Sequence, residues 1–173
     1  MLPMPIADHD AIIKELSNTG RYVKVLWQSD DTLMFIARGR AYRSEFHINP
    51  SDEHMTMLKG NMNLHFRTPE GREDVAVLRE GETIYTANGI PHSPRFPEDA
   101  FVLVGERKRR SGETDSFQWF CPSCDAQIHE EFFVVNDYTK DPVSRAYDNF
   151  FNSIVARTCD RCGTVHPGRE FSL

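Results

Sequence analysis

The sequence has no long hydrophobic run and no excess of positive charge. Its longest apolar stretches, such as Phe101–Val104, fall far short of the roughly 20 residues that a membrane-spanning helix needs. The formal net charge of -6 argues against general nucleic-acid binding. The N-terminus, MLPMPIADHD, lacks a basic segment followed by an apolar one. No signal peptide is therefore visible, and we expect a cytoplasmic protein that binds neither membranes nor nucleic acids.

Internal repeats and low-complexity segments are also lacking. The 173 residues suffice for one domain with a hydrophobic core and a small extension. One basic run, Arg107–Arg110, is flanked by Glu106 and Glu113. We interpret this run as the solvated end of a strand rather than as a binding patch.

Between residues 22 and 107 the sequence is rich in short segments of β-branched and aromatic residues. About eight such segments alternate with turns that contain Gly, Pro, Asn or Asp. They are YVKVLWQ, TLMFIAR, YRSEFHI, HMTMLK, NMNLHFR, EDVAVLR, ETIYT and FVLVGER. This near-regular spacing predicts a mainly β fold, a sandwich or a jelly-roll barrel, which we place in residues 1–110.

Helical spacing of apolar residues occurs near the two ends of the chain. Asp8 is the expected N-cap of a short helix that ends near Ser17. A second helix is predicted to begin with Asp141 as N-cap and Pro142 at its first position. Its broad apolar stripe comprises Val143, Ala146, Tyr147, Phe150, Phe151, Ile154 and Val155. We expect residues 111–173 to form an extension that contains this one helix and packs on the barrel as one unit.

All four cysteines lie in this extension, in the hooks Cys121-Pro-Ser-Cys124 and Cys159-Asp-Arg-Cys162. Two such hooks that face each other complete a tetrahedral site of four thiolates. Zinc and a rubredoxin-like single iron both fit this site, and the sequence does not separate them. Because the coordination sphere would be full, we expect a role in folding stability rather than in catalysis. The alternatives are a disulfide within each hook or four reduced thiols.

A second group of metal-binding residue types lies in the barrel segments. His47 ends one predicted strand, Glu53 opens the next, and His92 follows a later turn. Two imidazoles and one carboxylate on adjacent strands can hold one face of an octahedral ion and leave the other face open for substrate and dioxygen. The alternative is three polar side chains satisfied by hydrogen bonds. His54 should point to the opposite face of its strand, and His65 lacks a neighbouring turn or acid, so neither is included.

These residues together resemble the cupin superfamily. His47–Gly60 is similar to its first motif and Gly81–His92 to its second. More closely, the chain resembles the bacterial 3-hydroxyanthranilate 3,4-dioxygenases. The segments that carry this resemblance are TGRYVKVLWQSDD, YRSEFHINPSDEHMTMLKGNMNL, LREGETIYTANGIPHSPRFPE, DSFQWFCPSCDAQIHEEF and CDRCGTVHPGRE. The resemblance spans nearly the whole chain and implies a cupin jelly-roll β-barrel, with a short N-terminal helix and a C-terminal four-cysteine metal site.

The resemblance also implies an Fe(II)-dependent enzyme that opens the ring of an ortho-aminophenol with O2. By motif position, the iron ligands would be His47, Glu53 and His92. Arg43 would be an arginine beside the substrate and oxygen, and Glu106 the acid that contacts the substrate's amino and hydroxyl groups. The family further implies rubredoxin-like iron at the four cysteines and a homodimer. On the residues alone, the alternative for Arg43 and Glu106 is a salt-bridged pair on strands.

Three positions depart from the family pattern in the expected substrate pocket. The family reads the ring carboxylate with an arginine shortly after the second histidine ligand, whereas this chain has Phe96 there, preceded by Arg95. In an extended segment, a shift of one residue points a side chain to the opposite face. Val23 and Met55 stand where an asparagine and a phenylalanine are expected.

Two versions of the substrate follow from these departures. One is 3-hydroxyanthranilate held by a rearranged carboxylate contact, in which Arg95 reaches in from a shifted loop. The other is a related aminophenol or catechol whose substituent meets Phe96 as an apolar wall. Three changes in one pocket favour the second version.

A non-catalytic cupin that binds a metal or small molecule, as a sensor or store, is the alternative from a different functional class. Arg43 and Glu106 favour an enzyme, because a store has no need of an acid and an arginine beside its metal. A cupin isomerase, or a dioxygenase of unrelated substrate class that acquired a zinc ribbon, accounts for less of the sequence. The resemblance extends well beyond the metal motifs.

Overall fold

The computed structural model describes residues 4–40, 43–135 and 144–170. Within these ranges the chain forms eleven β-strands, three α-helices and one 3-10 turn. No helix in the described ranges is long and apolar enough to cross a membrane. The predicted start of the second helix, at Asp141–Val143, lies outside the described residues.

Helix α1 spans His9–Thr19 and begins where the sequence predicts. The carboxylate of Asp8 accepts a hydrogen bond from the Ala11 amide at 3.1 Å and so caps the first turn. The helix ends at Gly20, whose φ of 69° is left-handed and whose amide donates to the Leu16 carbonyl. Leu16 is fully buried and packs on the first sheet, so α1 covers one end of the barrel.

The strands form two antiparallel sheets. The first sheet has the order β1-β2-β9-β4-β7 and the second the order β11-β10-β3-β8-β5-β6. Their bounds are β1 Val23–Gln28, β2 Leu33–Arg38, β3 Phe46–Ile48, β4 Glu53–Lys59, β5 Met62–Arg67, β6 Glu73–Leu78, β7 Thr83–Thr86, β8 His92–Arg95, β9 Phe101–Glu106, β10 Asp115–Phe120 and β11 Gln127–Phe133.

The core lies between the two sheets. Alternate residues of each strand point inward, and the first sheet contributes Met55, Met57, Val102 and Val104. The second sheet contributes Met62, Leu64 and Leu78 to the same cluster. This arrangement confirms the predicted mainly β, jelly-roll fold with a short N-terminal helix.

Three strands were not predicted, and one was predicted too long. In the segment YRSEFHI, of which residues 43–48 are described, the strand covers only Phe46–Ile48. Strands β8, β10 and β11 had no counterpart in the prediction. Phe117 of β10 lies opposite His47 of β3, so two strands of the predicted extension continue the second sheet. The expected division after residue 110 therefore falls between strands that build one cavity.

In its described part, the C-terminal segment contains two short helices rather than one. Helix α2 spans Ser144–Phe151 and α3 spans Ile154–Arg157. Between them the Ser153 side chain accepts a hydrogen bond from the Ala156 amide, which makes Ser153 the N-cap of a new helix and ends the predicted stripe. Ile154 and Val155, assigned to the stripe, are exposed instead. A 3-10 turn follows at Gly168–Glu170.

Helix α2 is held on the second sheet by aromatic packing. The ring of Phe150 stacks on Trp119 of β10 at a centroid distance of 4.3 Å. Tyr147 and Phe151 stack on each other and cover Phe117 and Trp119. The C-terminal helices thereby fix β10 and β11 against the barrel.

Candidate active site

The second sheet and the edge of β4 bring the three predicted barrel ligands together. His47 of β3 lies directly opposite His92 of β8, and Glu53 is the first residue of β4. One ligand atom from each of the three lies within 4.8 Å of the others. Glu53 and His92 are buried and His47 is half-buried. The turn through Pro50 thus places an imidazole and a carboxylate from two consecutive strands, one in each sheet, at one point.

The contact between Glu53 and His92 fits a bound cation. Their Oε2 and Nε2 atoms are 2.6 Å apart, yet Glu53 Oε2 has no partner with hydrogen-bond geometry among the described residues. His92 Nδ1 donates to the Ile90 carbonyl at 2.8 Å, because a carbonyl can only accept. In neutral His92, Nε2 therefore presents a lone pair to a carboxylate oxygen. Two buried acceptors at this distance repel each other, and either a proton on Nε2 or a metal cation between them offsets that repulsion.

The ionisation of the three side chains suits the same cation. Burial opposes the charge of Glu53, but His92 and His47 hold its pKa at about 2. Burial lowers the pKa of His47, which keeps its imidazole neutral. A charged carboxylate beside an imidazole that burial keeps neutral is a state in which these groups bind a metal.

Asp115, at the start of β10, joins this group and was missed by the sequence analysis. Its Oδ2 lies 2.7 Å from His47 Nε2, and the residue is 1% exposed. Burial opposes its charge, but hydrogen bonds from Arg109 and His47 lower the pKa of the carboxyl. The sequence pattern that could have revealed it is the alternation of Asp115, Phe117 and Trp119. This alternation indicates a strand with Asp115 and Phe117 on one face.

Arg109 connects two carboxylates of the site. Its Nε and Nη2 donate to the two oxygens of Asp115 at 2.6 and 2.7 Å, and its Nη1 donates to Glu106 Oε2 at 2.8 Å. The Arg109 side chain is only 3% exposed. The interpretation of residues 107–110 as a solvated strand end is therefore wrong for Arg109, because three acceptors compensate for its burial. Arg107 of the same run pairs with Glu113.

Glu106 lies opposite Glu53 in the register of β4 and β9. Burial, and then the charge of Glu53, raise the pKa of Glu106 to about 8. Its Oε2 accepts from Arg109 and from Asn49 Nδ2 at 3.2 Å. Among the described residues no donor lies on Oε1, so this oxygen is available to a ligand. Like charges directly across a sheet are destabilising, and a cation between them removes that repulsion.

The charges of the site favour a divalent ion. Three carboxylates, from Glu53, Glu106 and Asp115, face a single guanidinium, that of Arg109. Fully ionised, this group carries a net charge of about -2, which water cannot compensate in a buried site. The donor set of two imidazoles and one carboxylate is the one that non-haem Fe(II) oxygenases use. The residues present therefore fit a divalent iron centre.

Arg43 also lies at the cavity, but it does not pair with Glu106. Its Nε is 2.7 Å from Glu45 Oε1, and Glu45 is fully buried. The hydroxyl of Tyr147, from helix α2, donates to the same oxygen at 2.7 Å. Among the described residues no acceptor binds the terminal nitrogens of Arg43. The alternative of an Arg43–Glu106 salt bridge is thus wrong, and each residue has its own partner.

These side chains line one cavity of about 820 Å³ between the sheets. Val23, Met55 and Phe96, the positions at which the chain departs from the family pattern, all border it. Its polar end contains His47, Glu53, His92, Arg43, Glu106, Arg109 and Asp115. Its apolar wall includes Phe35, Pro94, Val102, Val104, Phe117 and Phe133.

Arg95 is the candidate substrate residue that the structure does not bring to this cavity. Side chains alternate along β8, so Pro94 and Phe96 face the cavity and Arg95 faces away. Its guanidinium lies 5.6 Å from the ring of Phe46, with Nη1 at 3.8 Å from Glu73. The rearranged contact, with Arg95 as a reader of the substrate's carboxylate, is therefore not what the structure has.

The four cysteines form the second candidate metal site. Their Sγ atoms all lie within 4.8 Å of one another. The shortest contacts join the two hooks, Cys121 to Cys162 at 3.5 Å and Cys124 to Cys159 at 3.6 Å, and all four are free thiols. The closest sulfurs thus belong to different hooks, which favours one shared site over a disulfide within each hook. Four sulfurs converging from two tight turns fit a tetrahedral Zn or Fe ion.

Comparisons with known proteins find one family that matches most of this chain. The 3-hydroxyanthranilic acid dioxygenase family matches residues 14–151. A 3-hydroxyanthranilate 3,4-dioxygenase of Bacillus cereus is 34% identical over 154 residues, which cover 89% of this chain and 86% of that protein. The enzyme of the same name from Cupriavidus pinatubonensis is 36% identical over 148 residues, which cover 84% of this chain and 77% of that protein.

Among solved structures, a cupin-2 domain protein from Shewanella frigidimarina superposes with a TM-score of 0.49 and 15% identity. The superposition covers 60% of this chain and 96% of that one. The family match spans the candidate metal ligands, the neighbouring carboxylates of Glu106 and Asp115, and the first cysteine hook. The chain therefore belongs to the 3-hydroxyanthranilic acid dioxygenase family.

Proposed function

We propose that this protein is an Fe(II)-dependent dioxygenase that inserts O2 into the ring of an ortho-aminophenol or a close analogue. The convergence of His47, Glu53 and His92 at the polar end of the cavity is the observation that carries the proposal. The relatives from Bacillus and Cupriavidus bear the name of a ring-opening dioxygenase, and their similarity extends over most of the chain.

Iron is the metal that the site supports best. Bound Fe(II) would supply the redox chemistry by which O2 attacks an aromatic ring. His47, Glu53 and His92 would hold it on one side, which leaves the cavity side for substrate and O2. When all three carboxyls are ionised, the same group carries a charge of about -2, which a divalent ion would offset.

Glu106 is the group that we assign to proton transfer. Glu106 lines the cavity, its Oε2 is occupied by Arg109 and Asn49, and its Oε1 has no donor among the described residues. This oxygen can accept the proton that an aminophenol hydroxyl loses when the ring binds. Burial, and then the charge of Glu53, raise the pKa of Glu106 to about 8, so its ionised form is a stronger base than a solvated carboxylate.

Arg43 is the group that we assign to negative charge on the substrate or on oxygen. The carboxylate of Glu45 fixes its Nε, and Tyr147 fixes Glu45 in turn. The terminal nitrogens of the guanidinium are left for the cavity. A preorganised cation in a buried site stabilises developing charge without having to reorient.

The substrate that we favour carries an apolar substituent where the family's own substrate carries a carboxylate. Phe96 borders the cavity, Arg95 lies outside it, and Val102 and Val104 continue the apolar wall. A bidentate arginine–carboxylate contact contributes roughly 1.5–3 kcal/mol, so its loss would weaken 3-hydroxyanthranilate binding about tenfold or more. An alkyl-substituted aminophenol or catechol would lose no binding energy at this wall, because it has no carboxylate that needs a charged partner.

The four cysteines have a separate role in this proposal. We assign them a structural Zn or Fe ion that ties α3 to the turn after β10. By resemblance to the bacterial family members, we also expect the protein to be a homodimer.

Reconstitution with Fe(II) tests the proposed function. The anaerobic protein is loaded with Fe(II) and exposed to air with a panel of ortho-aminophenols and catechols that includes 3-hydroxyanthranilate. We expect stoichiometric O2 uptake with loss of the aromatic absorbance, and faster turnover of members with an apolar substituent. Iron occupancy without O2 uptake on any member would instead favour a metal or small-molecule store. His92→Gln serves as the control that should lose both iron and turnover.

A further inference from the structure

We propose that Arg109 and Asp115 form a buried brace that positions Glu106 and His47 at the metal centre. Arg109 and Asp115 would be positioning residues, because each acts through another side chain rather than on the substrate. The proposal rests on the proposed function for the role of Glu106, whereas the role of His47 needs only that a metal binds.

The brace is a continuous chain of short contacts through four side chains. Glu106 Oε2 accepts from Arg109 Nη1 at 2.8 Å, and Arg109 meets Asp115 with two contacts of 2.6 and 2.7 Å. Asp115 Oδ2 then accepts a hydrogen bond from His47 Nε2 at 2.7 Å, which leaves Nδ1 as the nitrogen with which His47 would bind a metal. The chain therefore runs from the proposed substrate acid to a proposed metal ligand.

The elements that carry these residues explain why a brace is needed. Glu106 ends β9 in the first sheet, and His47 lies on β3 in the second. The two sheets face each other across the cavity, and no backbone hydrogen bond joins β9 to β3 among the described strands. Arg109, in the connection from β9 to β10, spans this gap. It thereby fixes the separation of the acid and the ligand.

The guanidinium fork is essential to this arrangement. Two parallel contacts with Asp115 use one edge of the guanidinium, and Nη1 remains for Glu106. A planar fork can bind both carboxylates in fixed directions, whereas a lysine ammonium supplies the charge without the geometry. Only 3% of the Arg109 side chain and 1% of that of Asp115 are exposed, so solvent does not screen these contacts.

The experiment measures binding to the full-length protein without turnover. Co(II) replaces iron anaerobically, its visible absorption reports metal affinity, and 2-aminophenol is the probe ligand. We expect Arg109→Lys to weaken Co(II) binding and 2-aminophenol binding by about tenfold or more. Asp115→Asn should weaken Co(II) binding by a similar factor, because His47 loses its charged partner.

A double-mutant cycle separates positioning from general loss of structure. If Arg109 acts through Glu106, then Glu106→Gln with Arg109→Lys should bind 2-aminophenol no more weakly than Glu106→Gln alone. Arg107→Met is the matched control, since the Arg107 side chain pairs with Glu113 and contacts none of the four brace side chains among the described residues. The Arg107 carbonyl, which accepts from Arg109 Nη1 at 3.1 Å, is kept in this variant. Arg107→Met should leave the Co(II) affinity within about twofold of the wild type.

Three results would overturn the brace. The first is an Arg109→Lys protein that keeps both affinities, since charge alone would then suffice. The second is a cycle in which the effects of Glu106→Gln and Arg109→Lys multiply. The third is an equal loss in Arg107→Met. Failure of the whole substrate panel would refute the proposed function but leave the Co(II) comparison to decide the brace.

Discussion

Phe96 and Arg95 are neighbours in sequence but lie on opposite sides of the second sheet. The Phe96 ring borders the cavity, whereas the Arg95 guanidinium lies beside Phe46 and Glu73 on the other side. The period of two along an extended segment imposes this division. The alternation of side chains along this segment therefore places the positive charge of Arg95 on the side of the sheet away from the cavity. The cavity wall at this position is the apolar ring of Phe96.

Phe96→Arg should improve the binding of 3-hydroxyanthranilate. The new guanidinium would point into the cavity and can form a charge-assisted contact with the ring carboxylate, worth about tenfold or more in Kd. The Kd is measured by anaerobic titration of the metal-loaded protein. Arg95→Gln is the matched control and should leave this Kd unchanged. If Phe96→Arg binds no better and Arg95→Gln binds worse, Arg95 already reads the carboxylate.

Gly39→Ala should destabilise the protein and displace Phe96. A Cβ at residue 39 would lie 2.0 Å from the Pro97 carbonyl oxygen and 2.4 Å from that of Phe96. These are backbone atoms, so the segment itself must shift, at a cost of about 1–3 kcal/mol. Urea unfolding measures the loss. Gly105→Ala is the comparison, because its Cβ would meet only the flexible end of Met34, at 3.4 Å. Equal losses in the two variants would contradict the packing argument.

The ligands of the barrel were predictable because they follow strand-and-turn patterns that the sequence displays directly. Arg109 and Asp115 were not, for physical reasons that differ. Arg109 lies in a run of basic residues between Glu106 and Glu113. From the neighbouring residues alone, such a run is expected to be exposed to solvent. Its burial depends on Asp115, and the position of Asp115 depends on pairing with β3 some 67 residues earlier. Neighbours along the chain carry no information about that pairing.

The C-terminal region shows the same limit. The apolar stripe correctly indicated α2, and the two hooks indicated the cysteine cluster. The stripe continued past Ser153, however, although a serine there can cap a new helix. Strands β10 and β11 were not predicted because the cysteine hooks led to an interpretation of the whole segment as a separate metal-binding extension. The alternation of Phe117 and Trp119 was the available signal for β10.

Cys159→Ser should destabilise the extension and reduce ligand binding in the cavity. The cysteine cluster joins the hook after α3 to the hook after β10, and β10 carries Asp115 to the active site. Because metal binding at such sites contributes directly to folding, we expect a loss of more than about 3 kcal/mol in the free energy of unfolding.

Thermal unfolding and metal content check this prediction. Ser123→Ala, in the same hook as Cys121 but without a thiolate, is the matched control and should change stability by less than about 1 kcal/mol. A Cys159→Ser protein with full stability and unaltered 2-aminophenol binding would show that the cysteine site does not support the cavity.

His166 should make the protein lose stability as the pH falls from 7.5 to 5.5. The residue is buried beside α3, and its Nδ1 accepts a hydrogen bond from the Gly168 amide at 3.0 Å. Burial, and then the charge of Arg157, lower the pKa of His166 to about 4. In the unfolded chain a histidine has a pKa of about 6.5, so below that pH the unfolded state binds a proton that the folded state excludes.

The sign of the effect follows from this difference. The contribution of neutral His166 is fully present above pH 6.5 and falls toward pH 4, by about 1.3 kcal/mol between pH 7.5 and 5.5. His166→Gln cannot be protonated, so its unfolding free energy should decline less over this range, by that amount. Chemical denaturation of the metal-loaded proteins at both pH values gives the comparison, with His9→Gln as the control that should retain the wild-type decline. Parallel declines in wild type and His166→Gln would assign the acid sensitivity to the cysteine thiolates, which also gain protons as the pH falls.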